Sequence, residues 1–161
     1  MTADGILSLM ALVLAAVFIA AAVSKLRDRS GTVATMTSFK LPVPAVMAVL
    51  VPVLELGIAV GLLVSPSLGA LGAVTLLIFF TTFLLLQLRL GVRTPCRCFG
   101  SAAQHPLSIA DITRNLGLIA LGMPIVTLLS RTTPAVLDFV AVTFGVLVAW
   151  QIQRQVRAAQ G

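Results

Sequence analysis

The chain alternates long runs of apolar residues with short polar breaks. An uncharged run covers residues 5–24, and the segment 41–88 carries one charge, Glu55, over a length sufficient for two helices. The sequence Ser-Pro-Ser-Leu-Gly at 65–69 is typical of a turn and divides that segment. Uncharged runs of about 20 residues are typical of transmembrane helices. The pattern predicts helices at about 5–26, 43–64, 68–88, 107–129 and 135–152, with a polar connector at 32–40 and a loop at 89–106.

Composition excludes a soluble domain. Of the 161 residues, 59% are hydrophobic and 10% are charged, and the mean hydropathy is +1.11. We therefore expect an all-α fold, a polytopic transmembrane helical bundle with a four-helix core and a fifth helix, forming a single integral membrane domain over residues 1–161. The first apolar run differs from a signal peptide in two ways: the residues before it include Asp4 but no Lys or Arg, and it is longer than the usual apolar core of a signal peptide. We therefore interpret it as a retained helix.

The basic residues predict a membrane orientation rather than a nucleic-acid interface. The net charge is +6, but the Lys and Arg residues occupy short gaps between apolar runs instead of forming a stripe. With five spans, ten of the eleven basic residues fall on one face, and only Arg131 lies opposite. The positive-inside rule makes that face cytoplasmic. It predicts an outside N-terminus and a cytoplasmic loop at 89–106, in a bacterial inner membrane.

The chemistry of the chain is concentrated in that loop. Cys96 and Cys98 are the two cysteines of the sequence, and Arg97 separates them. A disulfide requires Cα atoms within about 4.4–6.8 Å, and two extended residues already span roughly 6.6–7.2 Å, so the bridge closes only if Arg97 lies in a bend. A strained bridge of this kind is easily reduced and exchanged. Arg97 and the upstream Arg93 favour the reactive thiolate.

Two other interpretations of the cysteine pair stay open. Paired thiolates also bind soft metal ions, as in a mercury- or copper-type membrane transporter, although such a protein is expected to carry a second sulfur site along its route. Free cysteines are often small buried hydrophobes without reactivity, and the protein would then be a structural subunit of a redox complex.

Ionisable residues at membrane depth are the other candidates for function. Glu55 falls near the middle of the second span, where a carboxylate must face the bundle, be protonated or pair with a cation. Lys25 lies at the end of the first span, at a different predicted membrane depth from Glu55. We therefore expect its side chain to snorkel to the interface rather than to pair with Glu55. Asp111 and Arg114 lie three apart on one helical face and can pair close to the cysteine loop. The loop histidine, His105, is a weak candidate for a ligand or proton donor.

Small residues suggest one close helix contact. Gly57 and Gly61 are four apart in the second span, a spacing that fits close helix packing, and ordinary glycine tolerance in a membrane helix explains it equally well.

Four elements together resemble the methylamine utilisation protein MauE family, within the broader DoxX-like membrane proteins. They are Lys25-Leu26-Arg27, Pro52-x-x-Glu55-Leu56, Cys96-x-Cys98-Phe99-Gly100 and Arg114-Asn115, and they cover roughly residues 20–120. The resemblance implies a DoxX-like four-helix core in a small inner-membrane protein connected with thiol and disulfide chemistry. It further implies maturation of a disulfide-rich exported enzyme beside a thioredoxin-like partner, with Lys25, Glu55, Cys96, Cys98 and Arg114 as site residues.

The expected function is thiol–disulfide exchange by the cysteine pair. Oxidases that relay electrons between two cysteine pairs need four sulfurs, and this chain has two. Either the pair exchanges with a partner on one side and a quinone on the other, as a quinone-linked thiol oxidase, or it is exposed alternately to two faces and joins two thioredoxin-like proteins. The charge distribution favours the second. No cofactor is required, quinone is a candidate, and the expected partners are thioredoxin-like proteins and the lipid bilayer, not nucleic acid or a bound metal.

Overall fold

A computed structural model of the protein describes residues 3–39, 41–89 and 108–129. These residues form five helices: α1 (Ala3–Arg27), α2 (Arg29–Ser38), α3 (Pro44–Val64), α4 (Pro66–Arg89) and α5 (Ile109–Leu129). The chain divides into two compact units, Met1–Ser130 and Arg131–Gly161, and all described residues lie in the first.

Four of the helices are long and apolar enough to cross a membrane. They are α1, α3, α4 and α5, the last over Ile109–Thr127. The predicted fold class, an all-α polytopic membrane bundle with a four-helix core, is confirmed for the described part of the chain. The fifth predicted span at 135–152 lies outside it. The single-domain assignment and the orientation of the bundle stay predictions.

Two helix pairs build the bundle, α1 with α3 and α4 with α5. The buried apolar core joins them through tightly packed side chains such as Leu14 on α1, Leu62 on α3 and Ile125 on α5. Large apolar side chains also lie exposed on the outer surface, among them Leu12 and Val60. In a membrane protein such side chains face lipid, which is as apolar as they are.

The segment 32–40, predicted as a polar connector between the first two spans, is helical over most of its length, because α2 occupies it. Asp28 caps the helix by accepting a hydrogen bond from the backbone N–H of Gly31 at 3.0 Å. Threonine hydroxyls inside α2 bond to backbone carbonyls one turn earlier, as Thr32 does to Asp28 at 2.9 Å. The helix packs against α1 and α3. Polar composition therefore did not prevent a helix here, and the hydroxyls of Thr32 and Thr35 bond to backbone carbonyls within the helix or at its cap.

The close helix contact lies between α3 and α4, and Gly61 contributes to it. A Cβ atom on Gly61 would lie 3.3 Å from the Cα of Gly69, whereas one on Gly57 would meet nothing within 4 Å. Of the two glycines whose spacing suggested a close contact, Gly61 takes part in it and Gly57 does not. The partner of Gly61 is Gly69, in the first turn of α4.

Replacing Gly69 with alanine should destabilise the bundle severely. Its Cβ would overlap the backbone of Gly61 and Leu62, and backbone atoms cannot move aside as a flexible side chain can, so we expect a loss of about 3 kcal/mol. The matched control is Gly57→Ala, which enters open space and should be neutral or slightly stabilising. Thermal unfolding of both variants in detergent checks this, and equal midpoints would contradict the close contact.

Candidate functional site

A buried ion pair joins α1 to α3. The ammonium of Lys25 lies 2.7 Å from Oε1 and 3.0 Å from Oε2 of Glu55. Lys25 is 5% exposed and Glu55 is 2% exposed, so both charges lie inside the bundle. The carboxylate near the middle of a span thus faces the interior and pairs with a cation, as its position predicted.

The snorkelling interpretation of Lys25 is wrong. It assumed that the end of the first apolar run is also the edge of the bundle, but α2 packs over that end. The hydroxyl of Thr32 on α2 donates to the carbonyl oxygen of Lys25 at 3.2 Å, and Thr32 is itself buried. Because α2 covers Lys25, its side chain extends into the bundle and reaches Glu55.

The ion pair forms part of the wall of an apolar cavity of about 150 Å³. All five helices contribute to the lining. One wall is aromatic: Phe39, directly after α2, meets Phe83 of α4 edge to face, with ring centroids 5.4 Å apart. Phe79 and Phe80 of α4 extend that wall. The cavity therefore combines a largely apolar surface with one charged pair.

Asn115 on α5 adds a second polar group to this wall. It lines the cavity and is 2% exposed, and its side-chain oxygen has no hydrogen-bond partner among the described residues. A buried acceptor without a partner costs about 1–3 kcal/mol. This oxygen is buried beside the cavity, so the side chain would have to turn for the oxygen to meet a ligand there.

The comparisons with known proteins agree on one family. The family model described as "Methylamine utilisation protein MauE" matches residues 3–131, which include every described helix. The chain belongs to the MauE family. The methylamine utilization protein MauE of Paracoccus denitrificans is 38% identical over 128 residues, covering 76% of this chain and 69% of that protein. No solved structure matches the chain.

The match to the MauE family includes all five predicted site residues, and the structure describes three of them. Lys25 and Glu55 are brought together. Arg114 lies on a more exposed part of α5, where its guanidinium is 3.3 Å from Oδ1 of Asp111. This confirms the predicted pairing of those two side chains.

The remaining candidates lie outside the described residues. Cys96 and Cys98 lie within the residues that the family model matches, and their role stays a prediction; the same holds for His105. In sequence, Cys98 precedes Ser108, the first described residue of the α5 segment, by ten positions. Asp111 accepts a hydrogen bond from the backbone N–H of Ser108 at 3.1 Å, which fixes the start of α5 after the cysteine loop.

Sequence reasoning missed the cavity itself. Four of its phenylalanines are spread over a loop and one long helix, and phenylalanine in a membrane helix carries no signal of its own. The detectable signal was Asn115, a polar amide within a long apolar helix, which indicates either a structural hydrogen bond or a ligand. The sequence showed it only as a neighbour of Arg114.

Proposed function

We propose that this protein is a membrane thiol–disulfide redox protein whose Cys96 and Cys98 exchange electrons with thioredoxin-like partners. The exchange would support disulfide chemistry or maturation of exported proteins. The single observation that carries the proposal is the Cys-Arg-Cys sequence, which contains both cysteines of a multi-pass membrane protein of the MauE family. The name of the Paracoccus relative suggests that the process served is methylamine utilisation.

The chemical step is exchange through a mixed disulfide. The thiolate of one cysteine attacks a sulfur of the partner's disulfide, forming one S–S bond and releasing the partner's other sulfur as a thiolate. The second cysteine then attacks the mixed disulfide, which closes the Cys96–Cys98 bridge and frees the partner as a dithiol. Two electrons pass to the partner, and the reverse sequence oxidises it. Arg97 lies between the sulfurs in sequence and favours the attacking thiolate form.

The Lys25–Glu55 pair supports this chemistry from within the bundle. Ionisable groups inside a membrane bundle commonly serve proton relays, and Glu55 is such a group. During exchange the attacking thiol loses a proton and the leaving thiolate gains one, so a group that accepts and returns a proton has a use in the reaction. One cysteine pair must serve both an electron donor and an electron acceptor, and a thioredoxin-like protein is the expected partner in at least one of these two steps.

A redox titration of the cysteine pair tests the proposal against soft-metal transport. In purified protein equilibrated with glutathione or dithiothreitol buffers, alkylation gel shifts should show one cooperative two-electron transition, with both thiols lost together. A strained bridge should titrate at a more oxidising potential than structural disulfides, above about −300 mV. Thiols that titrate independently, combined with tight binding of Hg²⁺ or Cu⁺, would favour the transporter instead.

A further inference from the structure

Three properties of the cavity define what it can hold. Its walls are predominantly apolar and include several phenylalanine rings. Its volume is about 150 Å³, and an apolar cavity of about that size in another protein binds a benzene ring. Asn115, which is 2% exposed, lines the cavity and carries a side-chain oxygen that is buried without a partner among the described residues. Together these features fit a single flat ring that carries a polar substituent.

The polar groups narrow the choice of substituent. An asparagine amide offers both an acceptor oxygen and an NH₂ donor, so it can accept a hydrogen bond from a ring hydroxyl or donate one to a ring carbonyl. The Lys25–Glu55 pair supplies both charges at the same cavity. A site with these partners can bind a ring in either of two redox forms, with hydroxyl or with carbonyl oxygens.

Electron balance supplies the reason for such a ligand. A chain with two cysteines has no second dithiol to which the first can pass electrons. Each time the pair oxidises a partner it is left as a dithiol, and a further two-electron acceptor must restore the disulfide. A cavity within a membrane bundle is supplied most directly from the lipid phase.

We propose that this cavity binds the ring of a lipid-soluble quinone, which reoxidises the Cys96 and Cys98 dithiol. In that step the two thiols lose two electrons and two protons as their S–S bond forms. The quinone takes up two electrons and two protons and leaves as quinol. Binding depends on the cavity alone, whereas the electron transfer rests on the proposed thiol function.

Binding of decylubiquinone to the purified full-length protein in lipid nanodiscs, followed by calorimetry, tests the site. The wild-type protein should bind it saturably at one site. Decylbenzene has the same tail length and a ring without oxygens, so it should bind more weakly. If decylbenzene binds as tightly as the quinone, the cavity is a site for a lipid tail and the proposal is overturned.

Two neighbouring alanines of α1 provide a matched pair of variants. Ala21 lines the cavity and is 2% exposed, whereas Ala20 lies on the exposed side of the same helix. Ala21→Phe fills the space of one ring, so it should weaken quinone binding at least about tenfold. Ala20→Phe adds the same side chain towards lipid and should leave binding unchanged. Equal binding by both variants would overturn the proposal.

Asn115→Leu is a second variant for use if the Ala21→Phe protein does not fold. Leucine has a shape similar to that of asparagine but lacks the amide, so the substitution removes the polar group and keeps the packing. Its affinity for decylubiquinone should fall about three- to tenfold; unchanged affinity would contradict the role of Asn115.

The Cys96→Ser, Cys98→Ser double variant separates the two proposals. It should bind quinone like the wild type, since it retains the cavity. Wild-type protein that exchanges disulfides with a partner but binds no quinone overturns this inference and leaves the proposed function standing. Protein that binds quinone in this cavity but never oxidises a thiol upholds the site and overturns the proposed function.

Discussion

Replacing Glu55 with leucine should destabilise the protein by about 3–5 kcal/mol, because the buried ammonium of Lys25 loses the carboxylate that it contacts at 2.7 Å. Lys25→Met should have a similar effect for the opposite reason, since it leaves an unpaired carboxylate at 2% exposure. The double variant Lys25→Met, Glu55→Leu removes both charges and fills the space with apolar side chains. It should recover most of the lost stability.

Free energies of unfolding in detergent for the four proteins of this cycle give the coupling between the two residues. Asp111→Asn is the control, because the pair of Asp111 with Arg114 is more exposed, with the Arg114 side chain 40% exposed. Loss of an exposed pair should cost no more than about 1 kcal/mol. Additive losses in the double variant would show that the buried pair does not act as a unit. A double variant that is stable but inactive would assign the pair to function.

Replacing either Cys96 or Cys98 with serine should abolish thiol–disulfide activity. Serine has nearly the same size but no nucleophilic thiolate and cannot form a disulfide. The thiol state of exported disulfide-bonded proteins, measured by alkylation gel shift in cells, should be that of cells without the protein. Thr94→Ser, in the same loop, should behave like the wild type.

Membrane abundance of each cysteine variant must match the wild type, so that loss of activity is not loss of protein. An exported thiol state that is unchanged in both cysteine variants would refute the proposed function and favour a structural subunit.

The sequence was sufficient to predict the four membrane-spanning helices of the described residues and the inward position of Glu55. Long apolar runs specify membrane helices because unpaired backbone groups are not tolerated in lipid, and the described part of the chain contains four such helices. Glu55 was predicted to face the bundle, be protonated or pair with a cation, since an isolated carboxylate at that depth is too costly, and the structure shows it inward-facing and paired. Asp111 and Arg114 were predicted to pair from their spacing alone.

The parts that depend on packing between distant segments could not be predicted. The depth of Lys25 depends on α2, and the pattern of residues 29–38 showed polarity but not a helix that packs against α1 and α3. The cavity depends on how side chains from five helices meet. Such contacts follow from tertiary packing, which the period of hydrophobic residues does not encode.

Covalent trapping tests the central claim most directly. In cells carrying Cys96→Ser or Cys98→Ser, the remaining thiolate can still attack a partner's disulfide, but no second cysteine can resolve the product, so the mixed disulfide accumulates. We predict that at least one of the two variants is recovered attached to a thioredoxin-like protein through a bond that dithiothreitol cleaves. The Cys96→Ser, Cys98→Ser double variant should show no such adduct. If neither single variant traps a thioredoxin-like protein while both are abundant in the membrane, the pair does not exchange disulfides with such partners.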